Sequence, residues 1–269
     1  MMDAMELPVQ VDAGRRFGGV ARLYGQQGAD RIAAAHVLVV GIGGVGSWAA
    51  EALARTGIGK LTLVDMDHVA ESNINRQIHA ADRTLGQAKI EAMQQRIASY
   101  HPDCQVQLID DFVDPDNWLG LVPSDVDGVI DACDQMAAKT AMAAWARRCK
   151  LPFITVGAAG GKQQAELMQI DDLSRVTHDP LLAQLRYRLR KQHGAPRDGK
   201  RMDVACVFSR EPVRMPEACE TGADSPDGSL NCSGYGSAVA VTASFGMAAA
   251  GWMLKKISTP LVKTEKTSL

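Results

Sequence analysis

The chain has 269 residues, 46% of them hydrophobic and 22% charged, with a net charge of −2. That length buries a large α/β core, and the composition excludes a disordered or fibrous chain. The near-neutral charge excludes a global basic field, so any nucleic-acid contact must come from a local patch.

The first 35 residues are mixed polar and arginine-bearing, without a charged-then-apolar leader, so the expected location is the cytoplasm. A regular α/β alternation follows. "HVLVV" (36–40) predicts a short buried strand, and "GIGGVGSWAAEALARTG" (41–57) a glycine turn running into a helix. Strands are expected at 60–65, 105–109, 127–132, 152–159 and 165–170, with helices at 84–101 and 137–149. This order predicts a Rossmann-like, doubly wound, mostly parallel sheet with helices on both faces.

Beyond residue 170 the character changes. The segment "RYRLRKQHGAPRDGKR" (186–201) carries seven Lys/Arg against one Asp. After a strand at 203–209, residues 210–234 are rich in Pro, Gly, Asp and Glu and read as a long loop. Residues 234–254 run without a charge. Their length admits a membrane span, while their many small residues favour a helix buried on the sheet or in a dimer interface. The expected division is a main domain over 15–170, a segment 171–256 completing the same fold, and a tail 257–269.

The six cysteines form no C-x-x-C pair and have no histidine at zinc-finger spacing, so no zinc is expected. Cys133 and Cys149 read as core. Cys232, at the end of the long loop, is the cysteine best placed for chemistry, as thioester or persulfide nucleophile or as a packed thiol. His79 and His101 show no partner spacing and receive no role.

Two constellations carry the chemistry. Gly41, Gly43 and Gly46 follow a strand and open a helix, and Asp65 ends the next strand nineteen residues past Gly46. Glycines permit a tight turn and close approach of phosphate, the helix start offers free N–H groups, and the acid can accept from a ribose. Alone, this set says adenine nucleotide, with an NAD enzyme the obvious reading. The second set is "ESNINRQIH" (71–79) with Lys89 and Asp134. Arg76 offers a bidentate cation, Asn73 and Gln77 neutral donors, Lys89 a point charge, and Asp134 a hard oxygen ligand for Mg²⁺. A pyrophosphate-bridged cofactor needs no such set. A nucleoside triphosphate attacked at its α-phosphorus does, because cations placed there stabilise transition-state charge.

In this order, "GIGGVGS", "LVDMD", "SNINRQ", "LGQAK" and "DACD" resemble the ThiF/MoeB adenylyltransferases of ubiquitin-activating-enzyme-like fold, over roughly residues 15–160. The resemblance implies ATP at Gly41, Gly43, Gly44 and Gly46, ribose on Asp65 with Asp67 beside it, phosphates met by Asn73, Gln77, Arg76 and Lys89, and Mg²⁺ on Asp134. It implies a homodimer, and a cysteine desulfurase or sulfur acceptor as partner. At the family's N-terminal arginine, which reaches the partner subunit's ATP, stands Gly19, with Arg16 and Arg22 as neighbouring substitutes. The absent zinc pairs, "RFGGVARLYG", the basic segment and "NCSGYG" (231–236) resemble a narrower branch, whose members dehydrate threonylcarbamoyladenosine in tRNA through an acyl-adenylate. That branch implies tRNA as partner, with Arg186, Arg188, Arg190 and Lys191 as the RNA-contacting cations. Three other readings stand beside it: adenylation of a ubiquitin-like or sulfur-carrier C-terminus, an NAD(P)-binding oxidoreductase, and a non-catalytic scaffold of this fold.

Overall fold

The structure, a computed structural model, describes residues 12–214 and 235–259. Its helices are α1 (Ala13–Tyr24), α2 (Gln26–Ala34), α3 (Gly46–Arg55), α4 (Lys89–Ala98), α5 (Trp118–Leu121), α6 (Met136–Cys149), α7 (Pro180–Gln192) and α8 (Val239–Ser258). Its strands are β1 (His36–Val40), β2 (Lys60–Val64), β3 (Gln105–Ile109), β4 (Gly128–Asp131), β5 (Phe153–Val156), β6 (Met168–Asp172) and β7 (Ala205–Ser209). They form one seven-stranded sheet in the order β3-β2-β1-β4-β5-β7-β6. Every pairing is parallel except β6 with β7. The chain returns past β1 to place β4 on its other side, so the strand order reverses between them and leaves a crevice at their carboxyl ends. β7 inserts between β5 and β6, which joins the later part of the chain to the same sheet.

Strand alternation sorts the core into two layers. Val37 and Val39 of β1 face α2, α3, α4 and α8, with Ile32, Leu53, Met93 and Phe245 among the buried partners. Leu38 and Val40 face α5, α6 and α7, with Trp118, Met142 and Leu185. Trp118 and Trp145 meet edge to face at 5.3 Å between centroids.

The uncharged 234–254 stretch is resolved by packing. Among the described residues no helix is long and apolar enough to cross a membrane, which corrects the spanning alternative and removes the ground for membrane association through this segment. α8 instead presses Val241, Phe245, Ala249 and Met253 onto the sheet layer. At Gly246 any side chain would run into the Val45 carbonyl, so the small residue is what lets α8 cross α3 at backbone contact. The other side of α8 leaves Val239 and Met247 each 42% exposed.

A buried carboxylate ties α3 to α4. Glu51, 1% exposed, accepts from Arg55 Nε at 2.6 Å, from Arg96 Nε at 2.9 Å and from the Tyr100 hydroxyl at 2.9 Å. Arg55 also lies over the Tyr100 ring at 4.2 Å.

Several elements differ from the sequence expectations. α1 and α2 occupy the stretch read only as mixed polar; Phe17, Val20 and Tyr24 stand at helical spacing in α1, but it buries no residue completely and its three glycines lower its propensity. Residues Ala165–Leu167, expected to open a strand, form a 3₁₀ turn before β6. Cys149, read as core, is exposed at the end of α6. Cys232 and most of the 210–234 loop lie outside the described residues.

Candidate functional site

A cavity of 1420 Å³ opens along the carboxyl ends of the strands. At its centre lies the turn between β1 and α3. Gly41 has φ +85°, and a Cβ there would sit 2.9 Å from the Cys133 amide nitrogen. A Cβ on Gly46 would overlap the Gly41 carbonyl, whereas one on Gly43 would meet nothing within 4 Å. The turn is therefore tight where it folds on itself and open where it faces the cavity. No side chain caps α3; the Ser47 amide donates to the Gly43 carbonyl at 3.1 Å, and the turn amides of Gly43 and Gly44, which line the cavity, are the ones that can meet an anion.

Asp65 follows β2 and accepts from the Ile42 amide at 2.6 Å and from the Asp67 amide at 2.9 Å. A carboxylate has about four lone-pair sites, so acceptor capacity for a ribose remains. Burial raises its pKa, against the downward pull of Lys89. Lys89 is buried and donates to Asp67 at 2.6 Å, so its charge reaches the cavity partly balanced by an exposed carboxylate.

The 71–79 segment forms a second wall. Its first three residues make a 3₁₀ turn, within which Asn73 Oδ1 accepts from the Ala70 amide at 3.1 Å. Gln77 is 4% exposed, and its Oε1 has no partner among the described residues although the residue lines the cavity. Arg76 Nη1 donates to the Ser72 carbonyl at 2.7 Å and to Asn75 Oδ1 at 3.0 Å. Its own carbonyl accepts from Trp48 Nε1 of α3 at 2.9 Å. Asn75 in turn donates to the Ser237 carbonyl at 2.9 Å, which links this wall to the approach of α8. The cavity thus brings together Gly41, Gly43, Gly44, Asp65, Asp67, Asn73, Arg76, Gln77, Lys89 and Asp134, while Gly46 lies behind them within the turn.

Under the β4–β5 side lies a group that sequence patterning did not mark. Lys139 is fully buried; its Nζ donates to Asp131 at 3.0 Å, to Thr155 Oγ1 at 3.0 Å and to the Val156 carbonyl at 2.9 Å. Burial opposes its charge, but Asp131 outweighs that and leaves its pKa raised. Cys133 also lines the cavity, with Sγ 3.1 Å from Asp131 Oδ1. Burial, with Asp131 adding to it, pushes this thiol well above its ordinary range, so it is a poor nucleophile.

The basic run of α7 divides. Arg186 donates to the carbonyls of Leu173 at 3.1 Å and Val176 at 2.8 Å, so it braces the segment before α7 and does not share an open face with the others. Arg190 donates to the Pro196 carbonyl at 3.2 Å, and Lys191 lies over the Tyr187 ring at 5.7 Å. Arg188 points the other way and lines the cavity. Of the candidates for a cross-subunit role, Arg16 donates to the Tyr100 carbonyl of its own chain at 2.8 Å.

Comparison with known proteins gives a consistent picture. The ThiF family profile matches residues 18–268. The chain is similar to the tRNA threonylcarbamoyladenosine dehydratase of Escherichia coli (strain K12), at 47% identity over 250 residues, covering 90% of this chain and 93% of that one. It is also similar to solved structures of the E. coli tRNA N6-threonylcarbamoyladenosine dehydratase. The complex with AMP has a TM-score of 0.82 at 45% identity, covering 93% of this chain and 98% of that chain. The complex with ATP has a TM-score of 0.80 at 44% identity, with coverages of 93% and 96%.

Proposed function

The chain belongs to the ThiF family, and from that we propose that it is an ATP-dependent dehydratase acting on threonylcarbamoyladenosine in tRNA. The observation that carries this reading is the single cavity in which the glycine turn, Asp65, Arg76, Lys89 and Asp134 converge, in a chain this similar to dehydratases solved with ATP and AMP.

ATP enters with its ribose toward Asp65 and its phosphates toward the start of α3. The threonyl carboxylate of the modified nucleoside attacks the α-phosphorus; an O–P bond forms and pyrophosphate leaves. The ureido group of the same nucleoside then attacks the activated acyl carbon and closes a ring. AMP departs with the former carboxylate oxygen, and a proton is lost, so the net change is removal of one water at the expense of ATP. Arg76 and Lys89 sit where charge grows on the phosphate oxygens, and fixed cations in a partly buried site act there without reorganising. Gln77 offers a side-chain amide to the same oxygens.

Asp134 is one of the carboxylates on the wall, and among the described residues no group of three His, Cys, Asp or Glu could cage a metal alone. That suits a Mg²⁺ that arrives on the nucleotide and keeps several waters, with Asp134 as its protein ligand. Such an ion would supply positive charge against the phosphate oxygens, with Asp134 as the residue that would hold it.

The exposed face of α8, with Val239 and Met247, supports assembly as a homodimer. Tyr187 and Lys191 on α7, with Arg197, Lys200 and Arg201 beyond it, are the exposed groups of the basic run open to an RNA backbone. Cys232 is assigned no part in adenylate formation, and Cys232→Ala retains ATP–pyrophosphate exchange. A cysteine desulfurase or sulfur acceptor as partner rests on family resemblance, and the tRNA substrate fits a cytoplasmic setting. Mass spectrometry of tRNA incubated with the protein and ATP tests the reading. A loss of one water from threonylcarbamoyladenosine, with AMP released in equal amount, is expected; unchanged nucleoside overturns it.

A further inference from the structure

The cavity is longer than a nucleotide requires. Its wall runs along the ends of β3, β2, β1, β4 and β5, from Phe112 at one extreme to Gly157–Gly160 at the other. Neighbouring strands lie about 4.8 Å apart, so the five ends span about 19 Å. Small-molecule sites usually enclose about 300–1,000 Å³, and this cavity encloses 1420 Å³. The groups assigned to ATP cluster on the β2–β1–β4 stretch. Past β5 the wall becomes one stripe of α7, Pro180, Leu181, Gln184 and Arg188, facing Tyr235–Ser237. Residues 180, 184 and 188 recur every fourth position and so share a helix face.

Arg188 stands apart from its neighbours in the basic run. Arg186 and Arg190 are engaged by carbonyls and Lys191 by an aromatic ring. Arg188 is half-buried, turned into the cavity, and has no hydrogen-bond or ion-pair partner among the described residues. A guanidinium so placed matches a planar carboxylate through paired N–H donors.

Resting on the function proposed above, we infer that Arg188, with Gln184 one turn before it, binds the carboxylate of the acid to be activated at the β5 end of the cavity. Arg188 is then a specificity-determining residue for the acyl substrate. It is not one of the cations that hold ATP, and it is not a contact to the RNA backbone outside. The fork takes one lone pair of each carboxylate oxygen, and a remaining lone pair stays directed to the α-phosphorus.

The test uses the full-length protein and two substrates: an anticodon stem-loop carrying threonylcarbamoyladenosine, and the free nucleoside, which has no phosphate. In Arg188→Ala the KM for both is expected to rise about 10- to 100-fold, the worth of one charge-assisted contact. The Kd for ATP, measured without acceptor, stays unchanged, as does the melting temperature. Arg188→Lys, which keeps the charge and loses the fork, recovers only part of the loss. A weakened ATP Kd would assign Arg188 to the triphosphate. A defect with the stem-loop alone would assign it to a phosphodiester, and a fallen melting temperature to structure. Each of these results, or a wild-type KM, overturns the inference while leaving the function standing. Failure of the wild-type protein to dehydrate the stem-loop would overturn the function and the inference with it.

Discussion

His79 provides the most direct test of the electrostatics of this fold. It is 3% exposed at the end of the phosphate-facing segment, and neither ring nitrogen has a partner among the described residues. Burial, with Lys89 and Arg96 acting in the same direction, lowers its pKa from 6.5 to about 4. The unfolded chain therefore takes up a proton near pH 6.5 that the folded chain refuses until about pH 4. By linkage, stability is intact above the upper value, falls as pH drops through the window, and levels off below it. At 1.36 kcal/mol per tenfold change, a depression of this size amounts to about 3 kcal/mol. His79→Leu removes the titrating ring and two buried orphan nitrogens while filling the space. Urea denaturation of both proteins should be followed by circular dichroism from above pH 6.5 down to about pH 4. The wild-type protein should lose about 3 kcal/mol more than the variant across that range. His36 and His101, whose pKa values are also lowered chiefly by burial, are present in both proteins and cancel. Parallel curves would refute the argument, since they would mean that His79 is hydrated or partnered in the folded state.

Three other expectations follow from the same geometry. Lys139→Met strands Asp131 in the interior and should cost about 3–5 kcal/mol in denaturant unfolding; adding Asp131→Leu should restore most of it, because the desolvated charge is then gone. Gly246→Ala forces α8 away from the Val45 carbonyl and should cost about 1–3 kcal/mol; ATP affinity should fall with it, because Val45 adjoins the first turn of α3. Arg76→Ala should reduce ATP–pyrophosphate exchange by about 10²- to 10³-fold. Its melting temperature should hold, because the Trp48 bond is to the Arg76 backbone.

What could be read in the sequence was what repeats or what is chemically unusual. Short apolar runs at 36–40 and 60–65 marked the central strands, and glycines spaced against an acid marked the nucleotide turn. Asn73, Arg76 and Gln77 were legible because no packing role explains such a polar cluster there. Buried charges were not legible. Glu51, Lys139 and Lys162, whose Nζ donates to the Glu211 carbonyl at 2.7 Å, look in sequence like solvated residues of helix and loop faces, and only their partners across the fold reveal them as interior. Direction was hidden as well. The cations of 186–191 look equivalent in a list, but a helix turns each through about 100°, sending Arg186 to a carbonyl pair and Arg188 to the cavity. Cys149 misled because a thiol in an alanine-rich helix looks like core, yet it lies in the last turn, past the sheet.

The Glu51 cluster bears on how the cations meet their ligand. α3 begins at the phosphate-facing turn and α4 begins at Lys89, so both helices start on the cavity. Glu51 and Arg96 join them about 8 Å and about 11 Å along their axes, at 1.5 Å per residue. Two rods joined midway along one and in the last turn of the other are held at a set angle, and the gap between their tips is set before ATP arrives. At this end of the cavity the nucleotide meets a gauge of fixed width, so a shorter or longer anion is refused by distance as well as by charge.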